Sequence, residues 1–430
     1  MKVQRRIIGI VLFNLVLFLV FSLTASAQRL GQTRLGYSGG DDWEPSIAAD
    51  RSGHVYVLWP HYGGTPDCAA CPSPTAVLQI SADRGQTWSA PRVMTPDPLG
   101  AYQVDMQIVV DPVDGKTVYA AWLQNNKSDT VVLKSTDYGQ TWTAPVVADS
   151  TNAGTDKPIL AVRGRDVYVA FDHQQKLYVA TSHDGGATFT PLPVRQSNNF
   201  GLSLAGGGAI DSRGNVYFAW AGYSRSGNAQ GPVSLYISKS MDGGQTWTGT
   251  LLDTSAAPPD CSAYRCEGAF LGAQIVVTVD ANDTLYALWN AGTVDRGPEQ
   301  MYFARSTDGG ATWTPRLDVS LAPAGTGHAF PVIVSGGAGN VRIAWMDNRN
   351  NSMWNVNYRT SADGGVTWSG ETLLSSYVQG YPYLSATGFA FPYGDYFEMG
   401  VDDRGNTHAV WGEGPNWTGP GNIWYTHLTP

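Results

Sequence analysis

The chain has 430 residues, 43% of them hydrophobic and only 15% charged, with 50 Gly, 25 Pro, 15 Trp and a formal net charge of −9. An acidic, Lys-poor chain lacks the basic footprint that nucleic-acid binding needs, so no nucleic-acid partner is expected. So much Gly, Pro and Trp with so little charge fits a turn-rich, all-β protein.

In chain order, residues 1–27 come first. Lys2, Arg5 and Arg6 precede an apolar run over 7–23 and the small-residue stretch Ala25-Ser26-Ala27. That is the pattern of a cleaved signal peptide. An uncleaved anchor is the alternative, because the run is long for a signal peptide and just short of a comfortable membrane span. Either way the rest is expected to be exported: secreted, periplasmic or at the cell surface. Losing the three positive charges of the leader takes the formal charge from −9 to −12. No later stretch is long enough to span a bilayer, and no linker or charge block divides 28–430. It reads as one domain, expected to be monomeric.

Within it a unit recurs: a short strand, a Gly-containing turn, then a strand ending in an aromatic. Its seven copies are 50–59, 111–122, 163–171, 211–220, 280–289, 335–345 and 402–411. A third strand follows each. After six of the units comes Ser-x-Asp-x-Gly-x-Thr-Trp, starting at Ser81, Ser135, Ser182, Ser240, Ser306 and Ser361 and ending at Trp88, Trp142, Phe189, Trp247, Trp313 and Trp368. The starts lie 54, 47, 58, 66 and 55 residues apart, the spacing of one four-stranded propeller blade per repeat. In each copy the Asp can accept N–H bonds within its own turn, and the Gly two positions on supplies φ > 0 without steric cost.

This octapeptide resembles the Asp box, or BNR repeat, of the sialidase superfamily. The resemblance implies a single β-propeller, with the boxes on hairpins remote from the active site. The last unit has no box and no fourth strand, while 30–37 precedes the first unit without a blade of its own. Pairing the two would close a ring of seven blades of four antiparallel strands and remove an exposed edge. Six blades, as in sialidases, is the alternative.

With the boxes marking the bottom face, the loops after each second strand and the segments before each inner strand form the top. They carry His61, Lys127, Arg296, Glu299, Asp347, Arg349 and Glu413, and Glu44, Asp105, Asp156, Lys157, Gln274, His328, Asp395, Tyr396 and Glu398. Five of the six Glu fall there, Glu371 being the exception. The connection 375–398 is the most aromatic. Flat rings beside carboxylates suit sugar recognition, and packing as a lid is the plainer role.

The resemblance implies a glycan substrate and sets what sialidase chemistry would need. A cationic clamp for a carboxylate would come from Arg265, Arg296 and Arg349. A Tyr nucleophile activated by Glu would be Tyr393 or Tyr396 beside Glu398, and the acid/base Asp105 or Asp42. Asp347, His328, Asp395 and Glu44 would complete the binding surface. Where sialidases carry Phe/Tyr-Arg-Ile-Pro, this chain has Trp43-Glu44-Pro45-Ser46, an acid in place of the first clamp Arg. A non-catalytic propeller binding a glycan, peptide or protein is the competing reading. No cofactor is expected, but Glu44, Asp105, Asp156 and Asp395 are a candidate structural Ca²⁺ set. Cys68, Cys71, Cys261 and Cys266 allow two local disulfides, crossed pairings or a Cys₄ zinc site. The local pairs 68–71 and 261–266 are preferred in an exported chain.

Overall fold

The computed structural model describes residues 31–95, 101–150, 154–173, 176–194, 202–225, 230–259, 271–350, 353–375, 394–413 and 421–430. They form seven antiparallel sheets and no helix long and apolar enough to cross a membrane. The sheets are blades in chain order, and their innermost strands pack side by side in a closed ring. Those strands are Ser46–Ala49, Val104–Val110, Thr155–Arg163, Leu202–Ile210, Ile275–Val279, His328–Ser335 and Glu398–Val401. The ring closes as the sequence predicts. Thr33–Leu35 pairs antiparallel with Asn422–Leu428 and becomes the outermost strand of blade 7. Arg34 Nε donates to Asn422 Oδ1 at 2.6 Å, and the Asp42 N–H of blade 1 to the Gly421 carbonyl of blade 7 at 3.0 Å.

Alternation along each strand puts apolar side chains on both faces of every blade, and neighbouring blades bury them against each other. Seven clusters result, one at each blade interface. The aromatic expected to end each second strand (Trp59, Trp122, Phe171, Trp220, Trp289, Trp345, Trp411) is almost fully buried, and the strand runs at least two residues past it. A buried indole N–H needs an acceptor. Trp59 finds Asp42, Trp122 finds Gln124, Trp345 finds Asp347 and Trp411 finds Glu413.

The six octapeptides fold as identical hairpins. In the first, Ser81 Oγ donates to Asp83 Oδ1 at 2.8 Å and accepts the Gly85 N–H at 2.8 Å. Asp83 Oδ1 accepts the Thr87 N–H and its Oδ2 the Thr87 hydroxyl. These bonds hold the Asp carboxyls at about 2 in five copies and lower still at Asp184. Two successive residues in each turn have positive φ, such as Arg84 (61°) and Gly85 (82°) or Gly364 (71°) and Gly365 (83°). The hairpins lie on the same face as the turns between first and second strands, since Arg84 N–H donates to Gly53 O and Gly364 N–H to Gly339 O. The top face is therefore the opposite one. Cys68 and Cys71 form a disulfide; Cys261 and Cys266 lie outside the described residues.

Candidate functional site

Among the described residues, the inner strands other than Leu202–Ile210 are reached through lead-ins at the top of the channel. Four lead-ins carry a non-Gly residue with left-handed backbone: Glu44 (φ 52°), Asp105 (56°), Lys157 (50°) and Phe330 (55°). At Asp105, Lys157 and Phe330 the pairing register breaks, between Val104 and Gln107, Asp156 and Ile159, and Ala329 and Val332. In blade 1 Glu44 fills the gap between Asp41–Asp42 and Ser46–Ala49. Three of the four precede a proline, which has no N–H to give the ladder. Extra residues bend a strand and re-aim a side chain, and such a backbone costs of order 1–3 kcal/mol per residue. The same bulge, repeated in four blades, sets side chains at one height around the axis.

What it assembles is a charged ring. Lys157 Nζ lies 2.6 Å from Asp395 Oδ1, 3.2 Å from Asp105 Oδ1 and 3.9 Å from Glu44 Oε1. It also sits 5.0 Å from the centre of the Tyr396 ring. Lys127 Nζ reaches Asp156 at 2.8 Å and Asp105 Oδ2 at 3.3 Å. Its loop presents it through three consecutive left-handed residues, Asn125, Asn126 and Lys127. Glu44 Oε1 accepts the Asp395 N–H, and Gln274 donates to the Asp395 carbonyl. Gly394 lets the two segments meet: a Cβ there would stand 2.2 Å from Glu44 Cγ.

The ring splits its carboxyls. Burial pushes Glu44 well above the usual range, and the nearby Asp395 and Asp105 charges outweigh the pull of Lys157. Burial also works against the Asp105 charge, but two ammonium groups outweigh it and hold the carboxyl far below its ordinary value. Burial works against the Lys157 charge too, yet the surrounding carboxylates raise its pKa well above the usual lysine range. Pairs of carboxyls held in opposite protonation states are the arrangement that acid/base chemistry uses.

Below the ring the channel encloses a cavity of about 280 Å³, lined in part by Asp105, Gln107, Lys157, Gln274, Asp395, Tyr396 and Glu398. Glu398 Oε2 accepts the Ser46 hydroxyl at 2.6 Å and the Ile47 N–H at 3.1 Å, and Oε1 accepts Gln107 Nε2. Burial pushes its carboxyl up to about 7.

Of the sequence-predicted residues, the structure brings together Glu44, Asp105, Asp395, Tyr396 and Glu398. Glu398 is bonded to Ser46 and Gln107, and the buried Tyr396 hydroxyl has no hydrogen-bond partner among the described residues. Burial raises that phenol well above its ordinary value. The arginine clamp is not gathered at the cavity. Arg349 is bound by Asp347 and Glu371, where the local carboxylates are nearer than the axis. Glu371 is thus the partner of a top-face arginine. Arg296 is an exposed residue of the hairpin after Leu285–Ala291, its N–H bonded to Ala257 O. Neither Arg296 nor Arg349 lines the cavity. His328 is buried, held by Glu299 O and Ser320 Oγ. Arg265 and Tyr393 lie outside the described residues.

Lys157 and Lys127 belong to the charged ring, and sequence reasoning noticed them without placing them in the site. The signal was the shared polar-Pro step of Glu44-Pro45 and Lys157-Pro158. Of the Ca²⁺ set, Glu44, Asp105 and Asp395 converge around the Lys157 ammonium, while Asp156 pairs with Lys127. Among the described residues no group of three or more His, Cys, Asp and Glu is placed to hold a metal ion.

No family model matches the chain. The xyloglucanase Xgh74A of Acetivibrio thermocellus is 28% identical over 325 residues, covering 64% of this chain and 34% of that protein. A Paenibacillus xyloglucanase is 28% identical over 316 residues, 65% of this chain and 27% of its own length. The chain thus spans about a third or less of the curated relatives it matches. Among solved structures, an ulvan lyase aligns over 91% of this chain and 95% of its own, at TM-score 0.53 and 11% identity. A Hadza microbial sialidase aligns over 90% of this chain and 66% of its own, at TM-score 0.47 and 15% identity. At 11% identity the ulvan lyase speaks to the fold alone: this chain is a seven-bladed β-propeller.

Proposed function

We propose that this is an exported glycan-acting propeller, a glycoside hydrolase working on a neutral sugar chain at the mouth of its central channel. The convergence of Glu44, Asp105 and Asp395 on the Lys157 ammonium at the head of one cavity, with burial biasing Glu44 towards its protonated form and two ammonium groups holding Asp105 towards its ionised form, carries this reading. Glycoside cleavage needs one carboxyl to give a proton to the departing oxygen and a second to stay ionised as base or nucleophile. Glu44 suits the first role and Asp105 the second. Tyr396 offers a ring face beside them. The 28% identical xyloglucanases support a neutral polysaccharide as substrate. Exo-sialidase chemistry has less support, because Arg349 is already satisfied by two carboxylates and, among the described residues, no arginine lines the cavity. Non-catalytic glycan binding is the second reading, favoured by Lys157 holding the same carboxylates that hydrolysis would use.

The test is reducing-sugar release from xyloglucan and other neutral glucans, beside aryl glycosides of neutral sugars and of sialic acid. Neutral-glucan turnover is expected, lowered about 100-fold or more in Glu44→Gln and Asp105→Asn. Binding of a neutral glycan without turnover would leave the second reading, and sialoside turnover would overturn the neutral-substrate assignment.

A further inference from the structure

Beneath the charged ring the cavity changes character. Its walls are Ile47, Ile108, Ile159, Val277, Val332 and Met399, one from each of six innermost strands. One titratable side chain interrupts them: Glu398, from the seventh-blade inner strand. Its three hydrogen bonds use three of the roughly four acceptor positions of a carboxylate. The cavity therefore pairs an apolar wall with an acceptor that still has room for a donor. Its charged lining is also unbalanced. Asp105, Asp395 and Glu398 face it against Lys157 alone, and Lys157 is already engaged by the two aspartates.

Each class of ligand fares differently there. An anion meets a surplus of carboxylate and no free guanidinium. A strongly polar neutral molecule loses water to a mostly aliphatic wall whose polar side chains Gln107, Gln274 and Thr278 are already bonded to Glu398, the Asp395 carbonyl and Ser335. A hydrocarbon fits the wall but leaves the last acceptor of Glu398 unused. An ammonium on a short alkyl chain satisfies both, because its stem lies on the aliphatic wall and its N–H bonds go to carboxylate. We infer that the shaft beneath the ring is a binding site for a small apolar organic cation of the alkylammonium class, held by Glu398. This site goes beyond the glycan reading and does not depend on it, since Glu398 has no part in the proposed cleavage.

Calorimetric titration of the full chain with hexylammonium, hexanol and hexanoate at about pH 8 tests it. Hexylammonium is expected to bind at least about tenfold more tightly than hexanol, and hexanoate not at all. Each methylene from butyl to hexyl should add roughly fourfold in affinity. Glu398→Gln should erase the preference for ammonium over alcohol and leave hexanol unchanged.

A second measurement uses the wild-type chain, in case that variant does not fold. Burial pushes Glu398 up to about 7, so hexylammonium should bind more weakly as pH falls from about 8 to about 6, while hexanol holds steady. The other charged groups facing the cavity are Asp105, Asp395 and Lys157; Asp105 is held far below this range and Lys157 well above it. Glu44 touches Asp395 from behind, and repeating the titration in Glu44→Gln removes its contribution. Equal binding of hexanol, any binding of hexanoate, no binding at all, or a pH-independent ammonium affinity would each overturn the assignment. A failed glycan assay would leave it standing.

Discussion

Lys157 is the residue on which the ring depends. It is a largely buried ammonium contacting carboxylates from blades 7, 2 and 1, placed there by a left-handed backbone that lysine does not favour. Removing one partner of a buried ion pair leaves the others uncompensated, at a cost of about 3–5 kcal/mol. Lys157→Met is expected to lose stability in that range in urea unfolding at about pH 7. Adding Asp395→Asn should recover part of the loss, since one stranded charge goes with it. Glu44→Gln should behave differently. Burial biases its carboxyl towards the neutral form, which the amide closely mimics, so the change should stay within about 1 kcal/mol. A large loss on Glu44→Gln, or none on Lys157→Met, would mean that the proton and charge assignment of the ring is wrong.

The box hairpin is the element that gives each blade its lower edge, and it shows why some structure is legible in sequence. All its bonds run within eight residues, so Ser81, Asp83, Gly85 and Thr87 announce it wherever they recur. The residue before the conserved Gly is just as constrained, with positive φ in every copy, yet Arg84 and Tyr138 hide the demand that Gly meets in the other four. The lead-in bulges were harder to read, because no local bond defines them. Glu44, Asp105 and Lys157 take their positions from neighbouring blades, and a one-dimensional scan sees only polar residues near prolines. Arg349 misled for the opposite reason: it lies on the expected face, but Asp347, two residues away, already binds the Trp345 N–H and captures the guanidinium. The hairpins also brace neighbouring blades. A Cβ on Gly85 would stand 1.7 Å from Tyr425 Oη of blade 7, and the backbone there has φ 82°. Gly85→Ala is expected to cost more than about 1 kcal/mol through strain and the displaced tyrosine, lowering the Tm. Ser52→Ala, on the same face without such a contact, serves as the neutral control. Equal melting of the two variants would show that the brace carries no load.

At the scale of the whole ring, seven aromatic-bearing strands and one unpaired N-terminal strand favoured seven blades over the six of sialidases, and the pairing of Thr33–Leu35 with Asn422–Leu428 decides for seven. Burial then makes the assembly answer to pH as a unit. Several of its acids are held where charge is costly: Asp41 is pushed up to about 6, Glu398 to about 7 and Glu413 to about 8, each chiefly by burial. A carboxyl whose folded pKa lies above its unfolded one binds its proton more tightly when folded. Its stabilising effect is complete below the unfolded value and is lost as pH rises through the folded value. His61 works in the same direction: burial opposes its charge, but Asp42 outweighs burial and raises its pKa. His408 opposes them, lowered by burial to about 4, so that its contribution is lost as pH falls through that value. The hairpin aspartates, depressed to about 2 by their own Thr and Ser, weaken the fold only in strong acid. Between about pH 8 and pH 6 the raised acids and His61 act together and outnumber His408, whose opposition begins only below its unfolded value of about 6.5. The Tm is therefore expected to rise as pH is lowered across that window and to fall again below about pH 4. Glu413→Gln keeps an acceptor for the Trp411 N–H while removing an acid pushed up to about 8, so it should flatten the alkaline part of the curve and raise the Tm at pH 8 towards its value at pH 6. A wild-type Tm that climbs steadily from pH 6 to pH 8 would mean that these carboxyls are ionised in the folded ring.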